Sequence, residues 1–309
     1  MILREIDFGP VLDASGVRNF QGEGYPHHKA FRFLGLSFEK TTLVAKTVTL
    51  KEREGNMPLK KDGVTPQDSK PDCIIVKPVK SVVLNAVGLS NFGAEFYFKQ
   101  GLWQEWPEPF MLSFASVGET ELERRRELQL FVEMFGEYIH HFRAPVGLQI
   151  NFSCPNVEHE ADDVLEEIRT ALLIASNLQI PIMPKLCVTT PINTAKQIAK
   201  MPECDALCVS NTIPWGTVFG TMWWKELFGD YVSPLAHYGG GGFSGAPLLP
   251  LVKKKMGLVG KKRTHHKTNQ CWWWNLVCGR CKRTYRSRSR LSFFGFSYTS
   301  LPVENEKYY

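Results

Sequence analysis

The sequence predicts an α/β fold, a (β/α)8 barrel of the TIM type that is incomplete or distorted over its last two βα units. Three observations predict it. Short apolar runs rich in β-branched residues recur along the chain, as expected for parallel strands buried on both faces. Helical patterns lie between these runs, and no G-x-G-x-x-G follows an early run, which disfavours a dinucleotide-binding doubly wound sheet. The predicted strands are residues 42–48, 81–86, 110–116, 146–152, 180–188 and 206–210.

The helices between the strands follow from apolar stripes at helical spacing. Residues 119–141 and 162–177 each place their large apolar side chains on one face. Thr190 and Pro191 predict the start of another helix, because proline fits the first helical turn. Strand and helix therefore alternate as a barrel requires.

The amino-acid composition limits which classes of protein the chain can belong to. The chain has 309 residues, 43% hydrophobic and 22% charged, which fits a globular protein of one or two domains and excludes wholesale disorder. No apolar stretch reaches the length of a membrane span, and acids stand where a signal peptide would be apolar. We therefore expect a cytoplasmic protein without a disulfide framework.

The net charge of +6 hides a division of the chain. Residues 253–290 contain 13 Lys and Arg and no acid, so the other 24 bases stand against all 31 Asp and Glu. An acidic body is thus joined to a basic C-terminal segment.

Polar residues follow several predicted strands of the body, where a parallel barrel has its active site. They are Lys46, Thr47, Asn85, Ser113, Asn151, Cys154, Lys185, Asn211 and Thr212. The histidine pairs at residues 27–28 and 140–141 lack a carboxylate or Cys at ligand spacing, so no metal site is expected.

At these residues the sequence resembles dihydroorotate dehydrogenases. Residues 45–50 (AKTVTL) and 53–56 (REGN) resemble the flavin-binding segment, and residues 84–91 (LNAVGLSN) resemble the loop with the substrate asparagine. Residues 150–157 (INFSCPNV) resemble the loop of the catalytic base. Further motifs are matched in the same order by residues 7–19, 184–186, 210–213 and 241–245.

The resemblance spans residues 7–252, so we divide the chain into a barrel of residues 1–252 and a segment of residues 253–309. It implies FMN-dependent oxidation of (S)-dihydroorotate to orotate in UMP biosynthesis, with a proton removed from C5 and a hydride passed from C6 to flavin N5. Cys154 is implied as the base, since the soluble class 1 enzymes carry Cys there and the membrane-associated class carries Ser. Nearby cations can lower a thiol pKa from its usual value of about 8.5.

The resemblance also implies which residues hold flavin and substrate. Lys46 would approach both as a second catalytic residue, and asparagine amides suit an imide and a carboxylate. Backbone N–H groups of Ser244 and Gly245 would bind the FMN phosphate. The expected substrate contacts are Lys46, Asn85, Val87, Gly88, Leu89, Asn151, Asn156, Asn211 and Thr212. The expected flavin contacts are Ala14, Ser15, Lys46, Thr47, Asn85, Ser113, Asn151, Lys185, Ser244 and Gly245.

Three interpretations of the C-terminal segment compete. Cys271, Cys278 and Cys281 with His265 or His266 could bind zinc, although their spacing fits no common finger. Bases interleaved with aromatic residues could bind nucleic acid. We favour a frameshift near residues 261–264: Trp has the single codon TGG, and residues 271–275 (CWWWN) read one base forward encode Gly-Gly-Gly. A frameshift would leave the phosphate pocket half-built, with inactivity or insolubility as the result.

Two rival functions remain open. One is another FMN barrel oxidoreductase, such as a protein similar to dihydropyrimidine dehydrogenase. The other is a non-enzymatic nucleic-acid-binding protein that uses the basic segment. The resemblance implies a homodimer, and an electron acceptor that is fumarate or NAD through an iron–sulfur flavoprotein subunit. No membrane partner is expected.

Overall fold

The computed structural model describes residues 1–28, 35–152 and 161–260, in which strands and helices alternate. The strands are β1 (Ile2–Leu3), β2 (Ile6–Asp7), β3 (Ile74–Lys77), β4 (Val82–Asn85), β5 (Phe110–Phe114), β6 (Val146–Asn151), β7 (Ile182–Cys187), β8 (Cys208–Asn211), β9 (Ile213–Pro214) and β10 (Gly242–Gly245). The helices are α1 (Ala94–Gln100), α2 (Glu121–Tyr138), α3 (Ala161–Ser176), α4 (Ile192–Ile198), α5 (Thr221–Phe228) and α6 (Leu249–Val259).

Six parallel chain segments lie side by side at the centre of the fold. Strands β5, β6, β7 and β8 pair in this order, with Leu112 opposite Leu148 and Leu148 opposite Ile182. Single parallel bridges from Val44 and Val48 to β5 add the segment 42–48, and a bridge from Leu12 to Thr42 adds the sixth. The α/β class is confirmed, and within the described ranges the sheet does not close into a barrel.

The predicted strand 81–86 differs from the expectation. Its ordered part, β4, belongs to a second sheet of order β3-β4-β10-β9 in which all pairs are antiparallel. Val82 and Leu84 are buried while Val83 and Asn85 are half-buried, the alternation of a sheet with one covered face. Because β9 follows β8 after one residue, this antiparallel sheet lies at the carboxyl end of the parallel strands.

The helices cover the outer face of the parallel sheet. Helix α2 begins with a capping box, in which the Thr120 side chain accepts from Glu123 N and the Glu123 carboxylate accepts from Thr120 N. Its buried Phe131 stacks on Phe114 of β5 at 4.0 Å between ring centroids. Arg124 of α2 also pairs with Glu167 of α3 at 2.6 Å. These contacts fix both helices against the strands whose ends carry the polar residues.

The opposite face of the sheet is apolar at its amino end. Side chains from the parallel segments meet side chains from the N-terminal hairpin β1–β2 and the residues after it. We call this cluster the apolar layer; it consists of Leu3, Phe8, Leu12, Val44, Met111, Met183, Ala206 and Cys208. Arg4 ties the hairpin to Asp205, just before β8, at 3.0 Å. The hairpin therefore seals this end of the inner face.

Helix α6 crosses the predicted domain boundary at residue 252. It runs from Leu249 to Val259, and the ammonium group of Lys255 donates to the carbonyls of Val188 and Thr190. Residues 253–260 thus pack with the body, whereas the predicted zinc, nucleic-acid and frameshift features of residues 261–309 lie outside the described residues. Across the described ranges, each helix is too short or too polar to cross a bilayer.

Candidate functional site

A layer of polar side chains lies directly above the apolar layer on the same face of the sheet. Lys46, Ser113 and Lys185 each stand two residues after a member of the apolar layer, and residues two apart on a strand share a face. The polar layer consists of Ser15, Lys46, Thr47, Ser113, Gln149, Asn151, Lys185 and Asn211. Its position at the carboxyl end of parallel strands is where α/β enzymes bind their ligands.

An extra residue in the segment 42–48 brings Lys46 and Thr47 into this layer together. Val44 bridges Met111 and Val48 bridges Phe114, so three residues on one side face two on the other. Such a bulge interrupts the alternation of the strand. Lys46 and Thr47 therefore share the inner face although they are neighbours in sequence.

Hydroxyl groups form a continuous chain of contacts through the layer. Ser15 Oγ donates to Ala45 O at 2.8 Å and lies 3.0 Å from Thr47 Oγ1. Thr47 Oγ1 lies 2.9 Å from Ser113 Oγ, which lies 3.3 Å from Gln149 Oε1. The predicted flavin contacts Ser15, Thr47 and Ser113 are thus brought together.

Lys46 carries a buried ammonium group in this layer. Its Nζ has no hydrogen-bond partner among the described residues and lies 4.6 Å from the centre of the Phe20 ring. Burial lowers the pKa of Lys46 to about 8, although the nearby Glu23 and Cys73 act in the opposite direction. A buried cation without a hydrogen-bonding acceptor is costly, so an anionic ligand would be favoured beside it.

Asparagine side chains join β8 to β6 in the parallel sheet and β4 to β10 in the neighbouring antiparallel sheet. Asn211 Nδ2 donates to Asn151 Oδ1 at 2.8 Å, and Thr212 N donates to Asn211 Oδ1 at 3.1 Å. Asn85 Nδ2 donates to Gly242 O at 3.3 Å. A Cβ on Gly242 would lie 2.5 Å from Thr212 Oγ1, so only glycine fits between the two sheets here. The predicted substrate residues Asn85, Asn151, Asn211 and Thr212 therefore lie along one connected path.

Lys185 supplies a second cation beside this path. It stands opposite Asn151 of β6 and opposite Cys208 of β8 in the strand register. Burial lowers the pKa of Lys185, and the neighbouring Cys208 thiol acts in the opposite direction. Burial also raises the pKa of Cys208, so this thiol favours its neutral form.

The loop after β4 is held by the segment 53–56. Asn56 N donates to Val87 O at 2.9 Å, and Arg53 Nε donates to Gly88 O at 2.8 Å. Gly88 and Leu89 both have positive φ, which for leucine is an uncommon conformation. These bonds fix the backbone of the predicted substrate loop next to Asn85.

Other predicted residues lie apart from the polar layer. Ser244 and Gly245 lie in β10 rather than in an open glycine loop, because residues 242–245 pair with β4 and Ser244 Oγ donates to Val83 O at 3.5 Å. Ala14 is exposed at the turn before Ser15. Their roles as flavin contacts remain predictions, and Cys154 and Asn156 lie outside the described residues.

Gln149 belongs to the polar layer and was missed from the sequence. Its side chain is fully buried, its Oε1 contacts Ser113, and its Nε2 has no partner among the described residues. The sequence held a usable indication, since Gln149 precedes Asn151 by two residues and must share its face of the strand.

The donor set of the polar layer fits an anionic, planar, hydrogen-bonding group. It offers the two lysines, one amide atom of Gln149 without a partner among the described residues, and hydroxyls and amides that both donate and accept. A flavin ring is planar and hydrogen-bonding and becomes anionic when it is reduced, so the residues present fit FMN. No cluster of three or more His, Cys, Asp or Glu side chains suited to a metal ion occurs in the part of the chain that the structure describes.

Comparison with known proteins gives relatives of a single kind. No protein-family profile matches the chain. It is 32% identical over 213 residues to the "Dihydroorotate dehydrogenase B (NAD(+)), catalytic subunit" of Desulforudis audaxviator, which covers 66% of this chain and 58% of that protein. It is 26% identical over 255 residues to the protein of the same name from Streptococcus pneumoniae strain R6, covering 79% of this chain and 69% of that protein.

Among solved structures, dihydroorotate dehydrogenase from Eimeria tenella in complex with ferulenol superposes with a TM-score of 0.49 and 16% identity. This superposition covers 84% of the chain and 68% of that structure. By sequence alone, the chain is similar to the catalytic subunits of dihydroorotate dehydrogenase B named above, and it spans little more than half the length of the first of them.

Proposed function

We propose that the chain binds FMN in its polar layer and oxidises (S)-dihydroorotate to orotate. The observation that carries the proposal is the buried Lys46 ammonium, which has no hydrogen-bond partner in the described ranges, beside an ordered chain of hydroxyls. The relatives named dihydroorotate dehydrogenase B support the same assignment. When bound, FMN supplies the acceptor for the hydride pair that leaves C6 of the substrate.

Residues of the chain would balance charge, orient the substrate and remove its proton. Lys46 and Lys185 would balance negative charge on the bound groups, since desolvation lowers the pKa of both ammonium groups and a nearby anion would offset that cost. Asn151 and Asn211, whose amides are fixed by each other, would orient the dihydropyrimidine ring through their remaining donors and acceptors. Asn85 and Thr212 would hold its other edge. Cys154 would accept the C5 proton as its thiolate.

The test is an anaerobic absorbance measurement on the full chain mixed with FMN. We expect flavin absorbance to be retained on the protein after gel filtration and to be bleached by dihydroorotate but not by dihydrouracil. Dihydrouracil lacks the carboxylate, so bleaching by both would favour a dihydropyrimidine dehydrogenase activity. Failure to retain FMN would contradict the proposal.

Cys154→Ala should abolish bleaching by dihydroorotate while FMN stays bound. The matched control is Cys204→Ala, because Cys204 is a buried thiol that donates to Ala206 O just before β8, away from the polar layer. Unchanged reduction kinetics in the Cys154 variant would remove this residue as the base.

The frameshift interpretation has its own test. We propose that restoring the reading frame from residues 261–264 onward raises FMN occupancy, because the last two βα units of the barrel would then complete the phosphate site. Resequencing the 3′ end of the gene decides whether the frame is shifted. Equal FMN occupancy in the two proteins would contradict the half-built phosphate site.

The proposed electron acceptor is NAD, reached through a partner subunit in the cytoplasm. The relatives are named as catalytic subunits of an NAD(+) enzyme, which supports this choice over fumarate. We expect the isolated chain to bleach with dihydroorotate without forming NADH. Rapid reoxidation of the bleached protein by fumarate would contradict this choice.

A further inference from the structure

The hydroxyl chain of the polar layer ends at Gln149, the buried residue that the sequence analysis missed. Four contacts run in series: Ala45 O to Ser15 Oγ, Ser15 Oγ to Thr47 Oγ1, Thr47 Oγ1 to Ser113 Oγ, and Ser113 Oγ to the Gln149 amide. Their lengths lie between 2.8 and 3.3 Å. Thr47 and Ser113 are also almost fully buried, so water does not replace these contacts.

The number of available hydrogens determines which group donates in each contact of the hydroxyl chain. Three hydroxyl groups carry one hydrogen each, and a carbonyl oxygen only accepts. If Gln149 presents Oε1 to Ser113, both ends of the chain are acceptors, and three hydrogens must serve four contacts. One pair of buried oxygens would then face each other without a hydrogen, which costs free energy in a dry interior.

Rotating the side-chain amide of Gln149 by half a turn removes this shortage of one hydrogen. Nitrogen and oxygen of an amide have nearly the same shape, so their assignment rests on the hydrogen-bond network. With Nε2 toward Ser113, Gln149 supplies the fourth hydrogen. Every hydroxyl then donates in one direction, from Gln149 through Ser113 and Thr47 to Ser15 and Ala45 O.

We propose that Gln149 is a positioning residue that directs the hydroxyl chain through its Nε2 and presents its Oε1 to the N–H edge of the bound flavin ring. Before the rotation, Nε2 is the amide atom without a partner among the described residues. After it, Oε1 lies at that position. Because Oε1 only accepts hydrogen bonds, it favours a ligand whose facing edge has an N–H group. The only N–H of the oxidised flavin ring is N3–H, so this inference rests on the proposed function.

The test compares FMN with 3-methyl-FMN, which lacks that N–H, in fluorescence titrations of the FMN-free full chain. The wild-type protein should bind FMN about tenfold more tightly than the methylated analogue. Gln149→Leu should bind FMN about tenfold more weakly and should lose the preference. If Gln149→Leu fails to fold, Gln149→Met gives the same comparison with a more adaptable side chain.

Gln104→Leu is the matched control. Gln104 is also a buried amide, its Oε1 has no partner in the part of the chain that the structure describes, and its Nε2 donates to Phe98 O, but it precedes β5 and lies away from the polar layer. This variant should keep the preference for FMN. A Gln149 variant that keeps a tenfold preference for FMN over 3-methyl-FMN would overturn the assignment of Oε1.

A second measurement separates this inference from the proposed function. If the wild-type protein binds neither flavin, the proposed function fails, and the contact between Gln149 and Ser113 on which the hydroxyl chain depends is tested by urea unfolding. Gln149→Leu and Ser113→Ala together should then cost less stability than the two single losses added, because they break the same contact. Additive losses would overturn the directed chain.

Discussion

The two ends of the inner face of the parallel sheet are built from opposite chemistry on the same strands. At the amino end, Val44, Met111 and Met183 are fully packed and sealed by the N-terminal hairpin. Towards the carboxyl end, Lys46 and Gln149 each bury a polar side-chain atom that has no partner in the described ranges. The amino end therefore contributes to the stability of the fold. The carboxyl end instead buries polar groups at a cost in stability, and a bound ligand would supply their missing partners.

The largest expected effect is on the apolar layer. Met111→Ala removes a fully buried side chain of β5, so the free energy of unfolding should fall by about 2–5 kcal/mol. Urea unfolding measures the loss. FMN affinity of the folded fraction should stay within threefold of wild type. A much larger loss of affinity would contradict the separation of stability in the apolar layer from FMN binding in the polar layer. Leu122→Ala, at an exposed position of α2, is the control.

The next effect is on the polar layer. Lys46→Met keeps the length of the side chain and removes its charge, so the Kd for FMN should rise about a hundredfold, because a charge-assisted contact is lost. Fluorescence titration measures the Kd. Lys99→Met, at an exposed lysine paired with Glu95, should leave it unchanged. Equal affinities for the Lys46 variant and wild type would remove Lys46 from the flavin site.

A smaller effect concerns pH. Lys46 has a pKa of about 8 in the ligand-free fold and an ordinary, higher pKa when unfolded, so the unfolded chain binds more protons between these values. The free energy of unfolding should therefore rise with pH from about 8 to 10 by roughly 1–3 kcal/mol relative to Lys46→Met, which lacks this group. Urea unfolding at pH 7.5 and pH 10 measures it. Parallel pH profiles for the two proteins would contradict the buried cation.

The smallest effect is at the rim of the apolar layer. Arg4 and Asp205 form a partly exposed ion pair, so Arg4→Ala should cost about 0.5 kcal/mol and less in high salt. FMN affinity should not change. Arg169→Ala, which removes an exposed pair with Glu166 on α3, gives the reference for a surface charge. A loss above about 2 kcal/mol would mean that the hairpin seal depends on this pair.

Sequence patterns predicted the parallel strands because β5, β6 and β7 are continuous apolar runs, and they predicted Ser113 and Asn151 because polar residues end such runs. They did not predict the pairing direction of β4. An apolar run of four residues has the same composition in either sheet, and although its partner β3 directly precedes it, its other partner β10 lies far from it in the chain. Gln149 was missed because its apolar neighbours in β6 hid the two-residue spacing to Asn151.

The extra residue between Val44 and Val48 has a consequence for how this stretch can change in evolution. Removing one residue there would restore a regular ladder with β5, and it would also turn either Lys46 or Thr47 away from the inner face. A substitution changes one contact, whereas a deletion here would cost a cation or a link of the hydroxyl chain. The length of this segment should therefore be inherited without gaps, even in descendants whose side chains have drifted.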